Sequence, residues 1–99
     1  MVIVTQLVYV HPGREADFHA FEDEVLPLLD EYGGELLLRL RPDAASKIAG
    51  TLEVPYEVHI VRFAAAESLE GYANDGRRLA ALHLKDGSVR ETFSISAEA

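Results

Sequence analysis

Apolar positions along the chain follow two periods in turn, one of two residues and one of three to four. From Val2 to Val10 the spacing is that of a strand, with Ile3, Leu7 and Tyr9 on one face and Val2, Val4, Val8 and Val10 on the other. A strand apolar on both faces is buried on both. Thr5 and Gln6 interrupt it, one on each side, and His11-Pro12-Gly13 ends it in a turn. The period then lengthens: Phe18, Phe21, Val25, Leu28 and Tyr32 form one stripe of a helix over residues 15–32. Pro27 predicts a kink inside it, and Gly33-Gly34 a left-handed stop. Alternation returns over Glu35 to Arg41, with Leu36, Leu38 and Leu40 on one side and Leu37, Arg39 and Arg41 on the other. Residues 43–54 show no period and read as a long loop with room for one helical turn, of the kind that borders a site or an interface.

The stretch from Pro55 to Phe63 is rich in β-branched and aromatic residues. Alternation puts Tyr56, Val58, Ile60 and Arg62 on one face and Glu57, His59, Val61 and Phe63 on the other. The mostly apolar first set is assigned to the helices, and the polar-punctuated second set to an enclosed space. A second helix starts at Glu67, is interrupted by Asn74-Asp75-Gly76, and resumes over Arg77 to Leu84 with Leu79, Leu82 and His83 inward. Asp86-Gly87 reads as a turn. Val89 to Ser96 alternates cleanly as a closing strand, and Ala97-Glu98-Ala99 are expected to fray.

Strand, helix, strand, strand, helix, strand is the split β-α-β order of the ferredoxin-like plan. The expected class is α+β: a four-stranded antiparallel sheet in one domain over residues 1–99, strands one and three central. Right-handed crossovers put both helices on one face. The bare face is then more apolar than a monomer usually shows, and a second copy packed sheet to sheet covers it. A homodimer, a dimeric α/β barrel, follows.

Composition narrows the function. Seventeen acidic against nine basic residues give a formal charge of −8, which repels phosphate backbones and anionic membranes. Arg77-Arg78 is an isolated basic pair, read as a solvated helix face. No cysteine is present, so there is no disulfide framework and no thiolate chemistry. The N-terminus lacks a basic leader and no apolar run is long enough to span a bilayer, so the chain is expected in the cytoplasm, bound to neither nucleic acid nor membrane.

His59 is the candidate catalytic residue, a general base in mid-strand; its plainer role is a core or interface histidine held by a hydrogen bond. Candidate ligand-binding residues are Gln6, Arg39, Glu57, Tyr72, Asn74 and His83. Same-face neighbours on a strand stand roughly 7 Å apart, which sets Glu57 at a distance from His59. Arg39, with Arg41 beside it, suits a carboxylate ligand, or ion pairs between subunits or on the surface. Gln6 is an amide on a buried face and needs a partner from ligand, water or a neighbouring strand. Tyr72, Asn74 and His83 sit on or near the interrupted helix, where packing and capping also account for the first two. His19, Glu22 and Asp23 have helical spacing for a metal, but lie on the acidic flank of the helix and read as solvated. No phosphate loop, nucleophile elbow or zinc motif occurs, and neither cofactor nor metal is expected.

Tyr9-Val10-His11-Pro12-Gly13-Arg14, Tyr32-Gly33-Gly34-Glu35, and Gly50 with Pro55 ahead of a strand ending Arg62-Phe63 together resemble the DUF1330 pattern of the dimeric α/β-barrel superfamily. Leu69, Tyr72, Asp75 and the Leu79–Leu82 segment extend the likeness over nearly the whole chain. Ala64-Ala65 stand where that pattern commonly has Pro-Ser, and Tyr72 where it often has Trp. The matching residues are mainly fold determinants, so the resemblance implies the barrel and transfers no catalytic residue. The wider superfamily includes cofactor-free monooxygenases, lactone isomerases, haem enzymes and ligand-binding regulatory domains. Two functional readings result. One is a dimer holding a small, partly apolar organic molecule between sheet and helices, with cofactor-free monooxygenase or isomerase-type chemistry at His59 or binding alone. The other is a non-catalytic structural or regulatory interaction module with a packed barrel interior.

Overall fold

A computed structural model describes residues 1–99. The strands are β1 (Val2–Val10), β2 (Glu35–Leu40), β3 (Glu57–Phe63) and β4 (Val89–Glu98). The helices are α1 (Glu15–Val25), α2 (Ala66–Ala73) and α3 (Gly76–Ser88). The sheet is antiparallel in the order β2-β3-β1-β4, so β1 and β3 are central, and the architecture is the expected ferredoxin-like one.

Local chemistry explains the helix boundaries. At Pro27 the α-helix does not merely bend: it gives way to a 3-10 helix over Leu26–Tyr32, which has no need of the amide that proline lacks. Gly33, at φ 66°, then closes it in the left-handed conformation. The break at residues 74–76 is a cap: the Asp75 carboxylate accepts from the Arg77 backbone N–H at 2.8 Å and starts α3. Hydrogen bonds from the Arg77 side chain and from the Tyr32 hydroxyl hold that carboxyl well below the usual range. Asp86-Gly87 makes no turn, since α3 runs through it to Ser88, whose hydroxyl donates to the Leu84 carbonyl at 2.6 Å. Nor does the chain end fray: β4 reaches Glu98, and the Ala99 amide donates to the Met1 carbonyl. Along α3, Ala81 is buried against Phe21 and Val25 and Leu82 packs half-buried beside them as expected, while Leu79 and His83 are exposed.

Cross-strand register sorts the sheet into two unlike faces. One carries the rows Leu40–Val58–Leu7–Phe93 and Leu38–Ile60–Thr5–Ile95. The other carries Arg39–His59–Gln6–Ser94 and Leu36–Val61–Val4–Ser96. The helices cover the second face, where Phe18, Phe21, Val25, Leu28 and Leu29 pack with Val2, Val4, Val8 and Phe63. The expected assignment of β3 is therefore reversed: Glu57, His59 and Phe63 lie buried under the helices, and Val58 and Ile60 belong to the open face. Alternation separates the two sets without saying which one a helix covers, and ion pairing lets the polar set be the covered one. A bulge between Leu36 and Leu38 puts Leu36 on the helix side with Arg39.

Residues 41–56 contain one 3-10 turn, Ala44–Ser46, and fold over one end of the open face, where the Tyr9 hydroxyl donates to the Glu53 carbonyl at 2.8 Å. A groove of about 450 Å³ lies between this loop and Leu7, Tyr9 and Val58. Beyond it the open face stays bare, with Leu38 at 41%, Phe93 at 39% and Ile95 at 68% exposure. No helix is long and apolar enough to cross a membrane.

Gly34 marks the tightest approach between the turn and the sheet, since an added Cβ would sit 2.8 Å from Phe63 Cε1 and 3.1 Å from Leu29 Cδ2. Both neighbours are fixed in the core, so Gly34→Ala should destabilise the fold by about 1–3 kcal/mol. Chemical denaturation of the two proteins measures this, with Gly76→Ala, whose Cβ would meet nothing within 4 Å, as the control.

Candidate functional site

Between the helix-covered face and the helices lies a cavity of about 210 Å³. Its sheet wall includes Val4, Gln6, Val8, His59 and Phe63; its helix wall includes Phe18, Phe21, Glu22, Tyr72 and Arg78. The walls are mostly apolar with a few polar groups pointing in, the usual composition of a small-molecule site.

The polar centre is built on Glu57, whose side chain is fully buried. Arg39 donates to it from Nε at 2.7 Å and Nη2 at 3.1 Å, and Arg41 from Nε at 2.6 Å. His59 Nε2 lies 2.6 Å from Glu57 Oε1. The strand spacing that separates their backbones is closed by the two side chains leaning together. Burial acts to raise the Glu57 carboxyl, but hydrogen bonds from His59, Arg39 and Arg41 outweigh it and bring it down to about 2. An ionised carboxylate only accepts, so His59 Nε2 carries the proton of this hydrogen bond. The His59 ring stacks on Phe18 at 6.4 Å, which fixes its plane. The imidazole is thus held in one orientation at the wall of a mostly apolar cavity.

The other expected residues divide. Gln6 lines the cavity and donates from Nε2 to Ser94 Oγ at 3.1 Å, so the neighbouring strand supplies a partner. Tyr72 lines it too, but its hydroxyl is engaged by the Val25 carbonyl at 3.2 Å, and burial raises its ionisation above the ordinary value. Arg39 acts behind the cavity, through Glu57. Asn74 caps α2 by donating to the Glu70 carbonyl, and His83 bonds the Ala80 carbonyl on an exposed helix face; neither lines the cavity. His19 stacks on Tyr56 and meets its hydroxyl at 2.6 Å, Asp23 is exposed, and Glu22 turns inward, so these three do not converge on one point.

Two residues that the sequence reads as solvated line the cavity instead. Glu22 is only 6% exposed and faces the cavity without a protein hydrogen bond. Burial raises its carboxyl above the ordinary range, against the pull of His59, Arg39 and Arg78 and with a push from Glu57. The signal was present in the helix, where Phe18, Glu22, Val25 and Leu29 recur at four, three and four residues. Arg78 is the other. It shares a stripe of α3 with Ala81 and Leu82, and its guanidinium lies 5.7 Å from the Phe21 ring centre and 5.3 Å from that of Tyr72.

No protein-family model matches the chain, and no curated protein does. Several solved structures share its fold. A protein of unknown function from Rhodopseudomonas palustris superposes with a TM-score of 0.85 at 14% identity, over 99% of this chain and 81% of that one. A dimeric protein of unknown function and ferredoxin-like fold from Bacteroides fragilis gives 0.71 at 10%, over 99% and 95%. An antibiotic biosynthesis monooxygenase gives 0.72 at 12%, over 100% and 98%. At these identities the likeness defines a ferredoxin-like α+β fold.

Because Glu57 is held below its unfolded value of about 4.5, its contribution to stability is complete above that pH and disappears as pH falls towards about 2. Glu57→Gln should lower stability at neutral pH by roughly 2–3 kcal/mol, allowing for the solvent around both arginines. The deficit should shrink between about pH 4.5 and about pH 2, where the native carboxylate itself takes up a proton. Urea titrations of both proteins across that range check the sign.

Proposed function

We propose that this protein is a homodimeric α/β barrel of the DUF1330 type that binds a small, partly apolar organic molecule between sheet and helices. His59 acts as general base on an activated C–H or O–H group, in cofactor-free isomerase or monooxygenase-type chemistry. The observation that carries the reading is His59 itself: buried at a cavity wall, with its Nε2 held by a charged carboxylate. Support for the dimer comes from the two apolar rows on the open face, which a sheet-to-sheet partner would cover by burying on the order of 2,000 Å². The B. fragilis neighbour is described as dimeric. The hydrogen bond that Gln6 already donates to Ser94 favours a second reading, a non-catalytic interaction module with a filled interior.

Two measurements decide among these. A native mass spectrum of protein taken gently from cells should show two chains and a small bound molecule; His59→Ala should keep that molecule and lose its turnover by about 100-fold or more. An empty spectrum and indifference to candidate ligands would favour the filled module. Sedimentation at micromolar concentration should give a dimer that Leu38→Asp breaks into folded monomers, because the new charge faces the apolar rows. A native protein that sediments as a monomer would remove the barrel.

A further inference from the structure

The chain carries a formal charge of −8, yet its cavity is surrounded by charge of the other sign. Arg78 and Lys85 line it, and Arg39 and Arg41 stand behind His59 on the single carboxylate of Glu57. Glu57 and Glu22 are the carboxylates at the cavity, Asp23 acts on Arg39 from outside it, and two arginines more than neutralise Glu57. A low-dielectric enclosure rimmed by one sign of charge focuses the field on whatever enters it.

Arg78 has a specific vacancy. Its Nη1 donates to the Ala73 carbonyl at 3.3 Å, its face rests on Phe21 and Tyr72, and its Nε is buried without any acceptor. Buried donors of charged groups are rarely left so, and a ligand oxygen would relieve this one. Glu22 lines the same cavity and feels the Arg78 charge without forming an ion pair with it.

We propose that the cavity takes a small, flat, largely apolar anion, a carboxylate or an enolate, whose oxygen accepts from Arg78 Nε while its body lies among Phe18, Phe21, Val25 and Phe63. This rests on the small-molecule reading above and names the chemistry of the ligand. Glu22 then works as a proton store. His59, Arg39 and Glu57 face it from the sheet and Arg78 from α3. An incoming negative charge disfavours the Glu22 carboxylate, so binding draws a proton onto it, and affinity rises as pH falls towards the range where this carboxyl titrates.

Calorimetric titration of the whole protein tests this with three probes: benzoate, the enolate of cyclohexane-1,3-dione, and neutral benzyl alcohol. At least one anion should bind about tenfold or more tightly than the alcohol, with proton uptake visible in paired buffers of different ionisation heat. Arg78→Gln should lose that preference. Arg78→Lys, which keeps the charge without Nε, should lose at least part of it and serves if the glutamine variant fails to fold. Glu22→Gln should bind the anion with the proton uptake abolished. The proposal is overturned if benzyl alcohol matches the anions, if no probe binds, if Arg78→Lys matches the native protein, or if proton uptake survives in Glu22→Gln. A neutral molecule found in the protein from cells would sink this inference while leaving the small-molecule reading intact.

Discussion

One buried carboxylate sets the terms for the rest of the molecule. Glu57 sits beneath the helices on a central strand, where an unpaired charge would be prohibitive. The sheet solves this by register. The pairing of β2 with β3 puts Arg39 opposite His59 and leaves Arg41 just beyond, so both guanidinium groups reach the same carboxylate. Shifting β2 by one residue would turn both arginines to the open face and strand Glu57. The bulge at Leu37 lets Leu36 join the buried face without disturbing that arrangement.

From this clamp the two faces of the sheet acquire different purposes. On the covered side, a polar row running Arg39–His59–Gln6–Ser94 lies beside Glu57 between the apolar residues Val4, Val8, Val61 and Phe63. The helices bridge it instead of filling it, and Phe18, Phe21 and Tyr72 roof a cavity floored by His59 and Gln6. On the open side the two central rows hold no charge, Glu35 and Arg62 pair at one end, and residues 41–56 shelter the other. A sheet this small cannot bury both faces with its own helices, so in the single chain much of the second surface stays bare.

Much of this was legible in the residues. The order of elements, the central positions of β1 and β3, the stop at Gly33 and the interruption at Asp75 follow from periodicity and turn chemistry, which act over a few residues. His59 and Gln6 stood out as polar groups on apolar strands. Glu22 and Arg78 did not, because a charged residue in a helix is ordinarily at the surface, and only the packing of α1 and α3 over the sheet turns these two inward. Asn74 and His83 were drawn in by nearness along the chain to the interrupted helix, but capping and helix phase carry them away from the cavity.

What the sequence determined alone was the alternation of short and long hydrophobic periods, and hence an α+β sheet with two unlike faces. Which face lies under the helices was decided only in three dimensions. The free energy of burying Glu57 depends on Arg39 and Arg41 from another strand, and local patterning cannot register a charge that distant residues neutralise.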